Sequence, residues 1–179
     1  ASYSGDLPGT VEFAQQALEV LPSEEAPWRS AAQIALGDAY AAQGQMNAAR
    51  KIRSEALEMS KLSEEPFIQM IANINLAETV WQQGDVKQVS EICARQVQLA
   101  KKQGLGLMDA TIMGWLYGLW GEALAEQNLL DQALAYTQKG VEIAETRQDV
   151  IYICHSKLHR VRVLFSAGDL AAAETMIKK

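Results

Sequence analysis

Two histidines four residues apart, His155 and His159, invite a chemical reading first, because that spacing puts both imidazoles on one helix face, as a metal requires. A zinc protease also needs a glutamate beside the first histidine, and this chain has Ser156 there. No sequence-local third ligand completes a metal set. No glycine elbow, Ser/His/Asp ordering or paired-carboxylate motif marks a catalytic centre. The expectation is a chain without catalysis, cofactor or metal. Cys93 and Cys154 stand inside apolar helical patterns far apart in sequence, which predicts two reduced, buried thiols rather than a disulfide.

The other chemistry on offer is recognition. Gly114-Trp115-Leu116-Tyr117-Gly118-Leu119-Trp120-Gly121 lies in an uncharged run from Ala110 to Gly121, too short to span a bilayer. Gly114 and Gly118 share one face of a helix, so either a neighbouring helix or a ligand or second subunit approaches that backbone closely. An aromatic set of this kind suits packing and an interface equally.

Positioning such residues falls to a repeated element. Leu36-Gly37-Asp38-Ala39-Tyr40 leads to Gly44, and Ala49, Ala56 and Leu57 follow. This reads as two amphipathic helices that pack antiparallel across a turn at Gly44. Equivalent turns fall at Gly5, Gly84, Asn128 and Gly168, at intervals of 39, 40, 44 and 40 residues. Each turn residue tolerates positive φ, and Asp6, Asp85 and Asp169 follow as caps for the next helix.

The helices before the turns (A helices) are predicted at about Trp28–Gln43, Phe67–Gln83, Leu107–Gln127 and Ile151–Ala167. Those after the turns are B helices, the first at Pro8–Leu21. Ser23, Ser63 and Asp149 are candidate caps for A helices. The units are 1–22 (a half repeat), 23–62, 63–103, 104–148 and 149–179 (incomplete), forming one domain over 1–179. The longer interval falls at Lys101–Leu107, where the extra residues amount to one helical turn. No β-type alternation is sustained.

The chain of 179 residues is 49% hydrophobic, enough for a sizeable core, with net charge −6 and pI about 5.0. That balance excludes a phosphate-gripping surface, so no direct nucleic-acid contact is expected from this segment. No secretory signal is visible, and cytoplasm is the default expectation. The first residue is not Met, and Met176-Ile177 end the chain while an apolar helical pattern still runs, as in a fragment of a longer protein.

The series Leu36-Gly37-x-x-Tyr40-x-x-x-Gly44, with Ala49 and Ala56, resembles the tetratricopeptide repeat (TPR). Leu76, Ala77 and Gly84 continue it, as do Gly121, Ala133 and Gly140. The last unit departs most, with Arg160 where leucine is expected. The longer repeat, with phrases such as Val161 to Ala173, resembles the helical sensor region of large bacterial transcription regulators of the MalT-like type. Those join a nucleotide-binding switch, a repeat superhelix and a LuxR-type DNA-binding region in one chain. No G-x-x-x-x-G-K-[ST] motif and no basic recognition helix is present, so ATP and DNA binding are not carried over to these residues.

The resemblance implies an all-α, right-handed TPR-like superhelix (α-solenoid) of antiparallel helix pairs, with a repeat of about 40 residues. Threading that register puts Asp38, Ile74, Glu78, Trp81, Trp115, Glu122, Glu126, His155, Arg162 and Phe165 on a concave, acidic and aromatic face. Such a groove suits a small effector or a cationic or amphipathic peptide, with self-association as a further use. The competing reading makes Trp81, Trp115 and Phe165 ordinary packing and the acids a solvated face. The function implied is effector or partner sensing by a transcription regulator. The alternative is a stand-alone adaptor gripping a partner's peptide segment.

Overall fold

The computed structural model describes residues 6–62, 66–103, 107–146 and 150–178, with side chains described throughout these except at 103 and 107–111. Among the described residues there are nine helices and no strand. They are α1 (Leu7–Val20), α2 (Ala26–Ala42), α3 (Met46–Ser60), α4 (Pro66–Gln82), α5 (Val86–Gln103), α6 (Leu107–Glu126), α7 (Leu130–Glu145), α8 (Val150–Ser166) and α9 (Leu170–Ile177). The even-numbered helices are the A helices, and each expected boundary lies within two residues of the observed one.

The turns form as the residue types require. Gly44, Gly84 and Gly168 have φ of 75°, 82° and 80°, and Asn128, the non-glycine member of the series, has φ 60°. A side chain with a Cβ is strained there, and asparagine tolerates it best. The carboxylates that follow cap their helices: Asp6 Oδ1 accepts from Gly9 N at 3.0 Å, Asp85 Oδ1 from Gln88 N at 3.1 Å and Asp169 Oδ1 from Ala172 N at 3.0 Å. Ser23 does not cap α2. The residue before that helix is Glu25, which makes no side-chain capping bond. Pro27 in the first turn has no N–H for a cap to accept from. Gly5, Ser63, Asp149, Gly104 and Gly106 lie outside the described residues.

The chain divides into two compact units, Ala1–Gly84 and Asp85–Lys179. In the first, α1 packs on α2, α2 pairs with α3, and α4 covers both α2 and α3. In the second, α5 packs on α6, α6 pairs with α7, α8 covers both, and α9 packs on α8. Small residues let the partners approach. Ala49, Ala56, Ala72 and Ala77 are wholly buried in the first unit and Ala123, Ala133 and Ala144 in the second.

Charged side chains also enter these seams. Arg53, on α3, is buried and reaches α4, donating from Nη1 to Asn75 O at 2.9 Å and to Thr79 Oγ1 at 2.6 Å, while Nη2 pairs with Asp38 on α2. Gly37 makes this possible, because a Cβ there would lie 2.6 Å from Arg53 Cγ. In the second unit the same pairing runs the other way: Arg160 on α8 donates to Leu134 O and, at 3.2 Å, to Thr137 Oγ1 on α7. The arginine where the repeat pattern expects leucine thus binds a helix carbonyl and a buried hydroxyl.

Glutamines before the turns tie successive hairpins. Arg50 Nη1 on α3 donates to Gln83 Oε1 at 2.7 Å, and Gln127 Nε2 donates to Ser90 Oγ on α5 at 2.9 Å.

Candidate functional site at the seam between helices α6 and α8

In the second unit, residues one repeat apart meet side by side. Glu122 on α6 and Arg162 on α8, 40 residues apart, form an ion pair with Nη1 to Oε1 at 3.1 Å. Trp115 and His155, also 40 apart, stack with ring centroids 4.9 Å apart and planes tilted by 33°. Tyr152 adds an edge contact to Trp115 at 6.0 Å. These contacts follow from A helices lying in register, so that equal positions of successive repeats become neighbours.

Beneath them sits His159. Its Nδ1 lies 3.1 Å from Glu122 Oε2, at ion-pair distance but off the line of a hydrogen bond, and both side chains are buried. Gly118 makes the room, because a Cβ there would stand 2.7 Å from His159 Cδ2. Gly114 has a different neighbour: its Cβ would lie 2.8 Å from Gly140 O on α7. Gly118 and Gly114 therefore admit two helices, a side chain of α8 and the backbone of α7.

The other aromatics of that run turn to α7. Trp120 and Tyr136 centroids are 4.5 Å apart, Tyr117 and Tyr136 5.7 Å, and Lys139 Nζ lies 4.6 Å from the Tyr117 ring. Trp120 and Tyr136 pack against Leu124, Ala133 and Val163, which is core packing.

The seam has a polar interior and an aromatic, charged edge. Glu122 is 4% exposed and lies under the surface rather than lining it. Arg162, whose side chain is 55% exposed, covers it. Phe165 is 67% exposed one turn further along α8, and Glu126 is exposed one turn beyond Glu122 on α6. Trp115 is half-buried, with its Nε1 shielded from solvent and without a hydrogen-bond partner. His155 is held below the ordinary histidine value, first by burial and then by the neighbouring His159 and Arg162.

In the first unit, Asp38 is held by Arg53, and burial pushes its carboxyl above the ordinary value against the pull of that guanidinium. Glu78 and Trp81 are half-buried on α4. Ile74 is 1% exposed and belongs to the core, contrary to its expected place on a groove. Its helix is enclosed by α2 and α3 on a wider arc than one apolar stripe suggests. Cys93 is buried as expected, and burial pushes its thiol up. Cys154 is exposed, because it lies on a face of α8 with Val150 and Leu158, which are exposed too.

Among the described residues no group of three or more His, Cys, Asp or Glu gathers to hold a metal, and no helix is long and apolar enough to cross a membrane. Sequence reasoning missed Arg53 and the roles of Gln83 and Gln127. The signal for the Glu122–Arg162 pair was present, since opposite charges stand one repeat apart, directly after Gly121 and Val161.

The whole chain, residues 1–179, matches the family model described as the MalT-like TPR region. Among solved structures, BtubC (BKLC) from P. vanneervenii is 16% identical with a TM-score of 0.73, covering 98% of this chain and 72% of that one. A Podosopora anserina chain of nearly identical kinesin light chain TPR-like repeats is 19% identical with a TM-score of 0.67, covering 99% of this chain and 86% of that one. At such identity these likenesses show the fold. No curated protein gives a significant match. An all-helical TPR-like solenoid of hairpins matching the family model from end to end identifies the chain as a member of the MalT-like TPR region family.

Proposed function

We propose that this chain is the effector- or partner-sensing region of a bacterial transcription regulator, without catalysis of its own, and that the edge of the α6–α8 seam is where it binds. The observation that carries the reading is the exposed pair Arg162 and Phe165 above the buried Glu122, in a chain whose full length matches the MalT-like TPR region. Arg162 is already oriented by Glu122, so its guanidinium edge and the Phe165 ring offer a polar and an apolar contact at little further ordering cost. Trp115 and Glu126 extend the same surface. A small effector or a peptide held there touches both A helices. It acts as a switch to the extent that it binds one α6–α8 arrangement better than another.

The test is transcription by the full-length protein with Phe165→Ala and with Glu126→Gln. Both side chains are exposed, so melting should stay unchanged while the response to inducing conditions falls about tenfold or more, as when a stacking contact of about 1.4 kcal/mol is lost. An unaltered response in both variants overturns the site. A reading frame lacking both nucleotide-binding and DNA-binding regions overturns the regulator.

A further inference from the structure

His159 is buried between α6 and α8, where neither of its nitrogens makes a hydrogen bond to the protein. A polar ring placed so is costly, and an apolar one would fill the space beside Gly118 as well, so the imidazole calls for a use. What it faces is a single carboxylate. Glu122 Oε2 lies 3.1 Å from His159 Nδ1, and the other oxygen, Oε1, is held by Arg162 at 3.1 Å. One buried anion thus stands between two sources of positive charge. Arg162 is always charged and its side chain is 55% exposed, whereas the imidazole is covered and gains its charge only as pH falls.

The other ionisable groups of the helices packed here do not take part. His155, one turn earlier on α8, is held below the ordinary histidine value first by burial and then by His159 and Arg162. Arg160 turns to Leu134 O. On α7, Glu145 pairs with Lys157 and Lys139 lies over Tyr117, and on α9 Glu174 pairs with Lys178.

We propose that Glu122 exchanges cations with pH: Arg162 holds it while His159 is neutral, and a proton taken from solvent by His159 passes the carboxylate to the imidazolium and releases the guanidinium. A buried carboxylate needs a close counter-charge, and the imidazolium supplies one from where the ring already sits, once a small rotation brings Nδ1–H into line with Oε2. Arg162 is then left with a contact that water replaces cheaply. The two-state element is its side chain, held over the seam or loose in solvent, and one proton biases it. As a control on binding, the exchange rests on the reading of the α6–α8 edge as the binding site. The exchange itself involves three side chains and is tested without any effector.

The experiment is nuclear magnetic resonance of the whole chain from about pH 8 to pH 5, the range in which histidines change charge. It follows the ring nitrogens of His159 and the heteronuclear NOE of the Arg162 Nε–Hε group. The expected result is that His159 takes up its proton over the same interval in which the Arg162 NOE falls from the value of an ordered group to that of a free side chain. His159→Gln should keep Arg162 ordered at pH 5, and His155→Gln should leave the transition in place. Should His159→Gln fail to fold, the coincidence of the two transitions in the unaltered chain decides. An Arg162 group equally ordered throughout, a loss of order while His159 stays neutral, or a transition that survives His159→Gln or vanishes in His155→Gln overturns the proposal.

Discussion

Glu122 on α6 and Arg162 on α8 occupy the same position of successive repeats and meet as an ion pair at 3.1 Å, with the carboxylate buried and the guanidinium largely exposed. The two partners should therefore respond unequally to removal. Glu122→Ala removes the buried carboxylate itself and leaves the exposed Arg162 to solvent, so the lost pair is expected to cost less, about 1 kcal/mol. Arg162→Ala leaves the buried Glu122 carboxylate without that cation and is expected to cost about 3 kcal/mol, the low end for a charge left buried and unpaired. Urea denaturation followed by circular dichroism measures both. Equal losses would mean that Glu122 is solvated.

Arg53 ties α2, α3 and α4 together through Asp38, Asn75 and Thr79. Arg53→Lys keeps the charge but not the fork that bonds several acceptors at once, so it should lower stability by about 2 kcal/mol or more. Gly37→Ala should act in the same direction by crowding Arg53 Cγ. Combining the two should cost less than the sum, because both damage one contact set. Strict additivity in the denaturation series would separate Gly37 from Arg53.

Trp115 divides its indole between packing on His155 and Tyr152 and the surface above. Trp115→Ala is expected to cost about 3 kcal/mol, the low end for an aromatic truncated in a core. Trp115→Phe should recover most of it, since the buried Nε1 bonds nothing. A melting curve unmoved by the alanine substitution would place the ring in solvent.

His155 makes stability depend on pH. Its folded value lies below the ordinary 6.5, chiefly through burial. On acidification the unfolded chain therefore takes up its proton before the folded chain does. The contribution of the neutral imidazole is complete above pH 6.5 and declines as pH falls through that value. Melting temperature should drop between about pH 7 and pH 5, and His155→Gln should flatten that part of the profile. An identical slope in the variant would assign the dependence to other groups.

The hairpin turns, their caps and the alternation of A and B helices were legible because they are local. Positive φ at Gly44, Gly84, Asn128 and Gly168 and carboxylates at Asp6, Asp85 and Asp169 act within one turn of backbone. Ser23 misled because α2 begins at Ala26, which puts Glu25 and not Ser23 at the cap position.

The hairpin repeat, and with it the family, follows from residue order alone, since a period near 40 residues and its small-residue positions are linear properties of the chain. The pairing of Glu122 with Arg162 and of Trp115 with His155 is written there too, as equal repeat positions. Which of these side chains are covered was settled by packing in three dimensions. Burial depends on what neighbouring helices leave open: Gly118 admits His159, Gly37 admits Arg53, and Ile74 is sunk in the core. Helical periodicity marks a face, whereas the depth of a residue on that face is set by the volumes of side chains a whole repeat away.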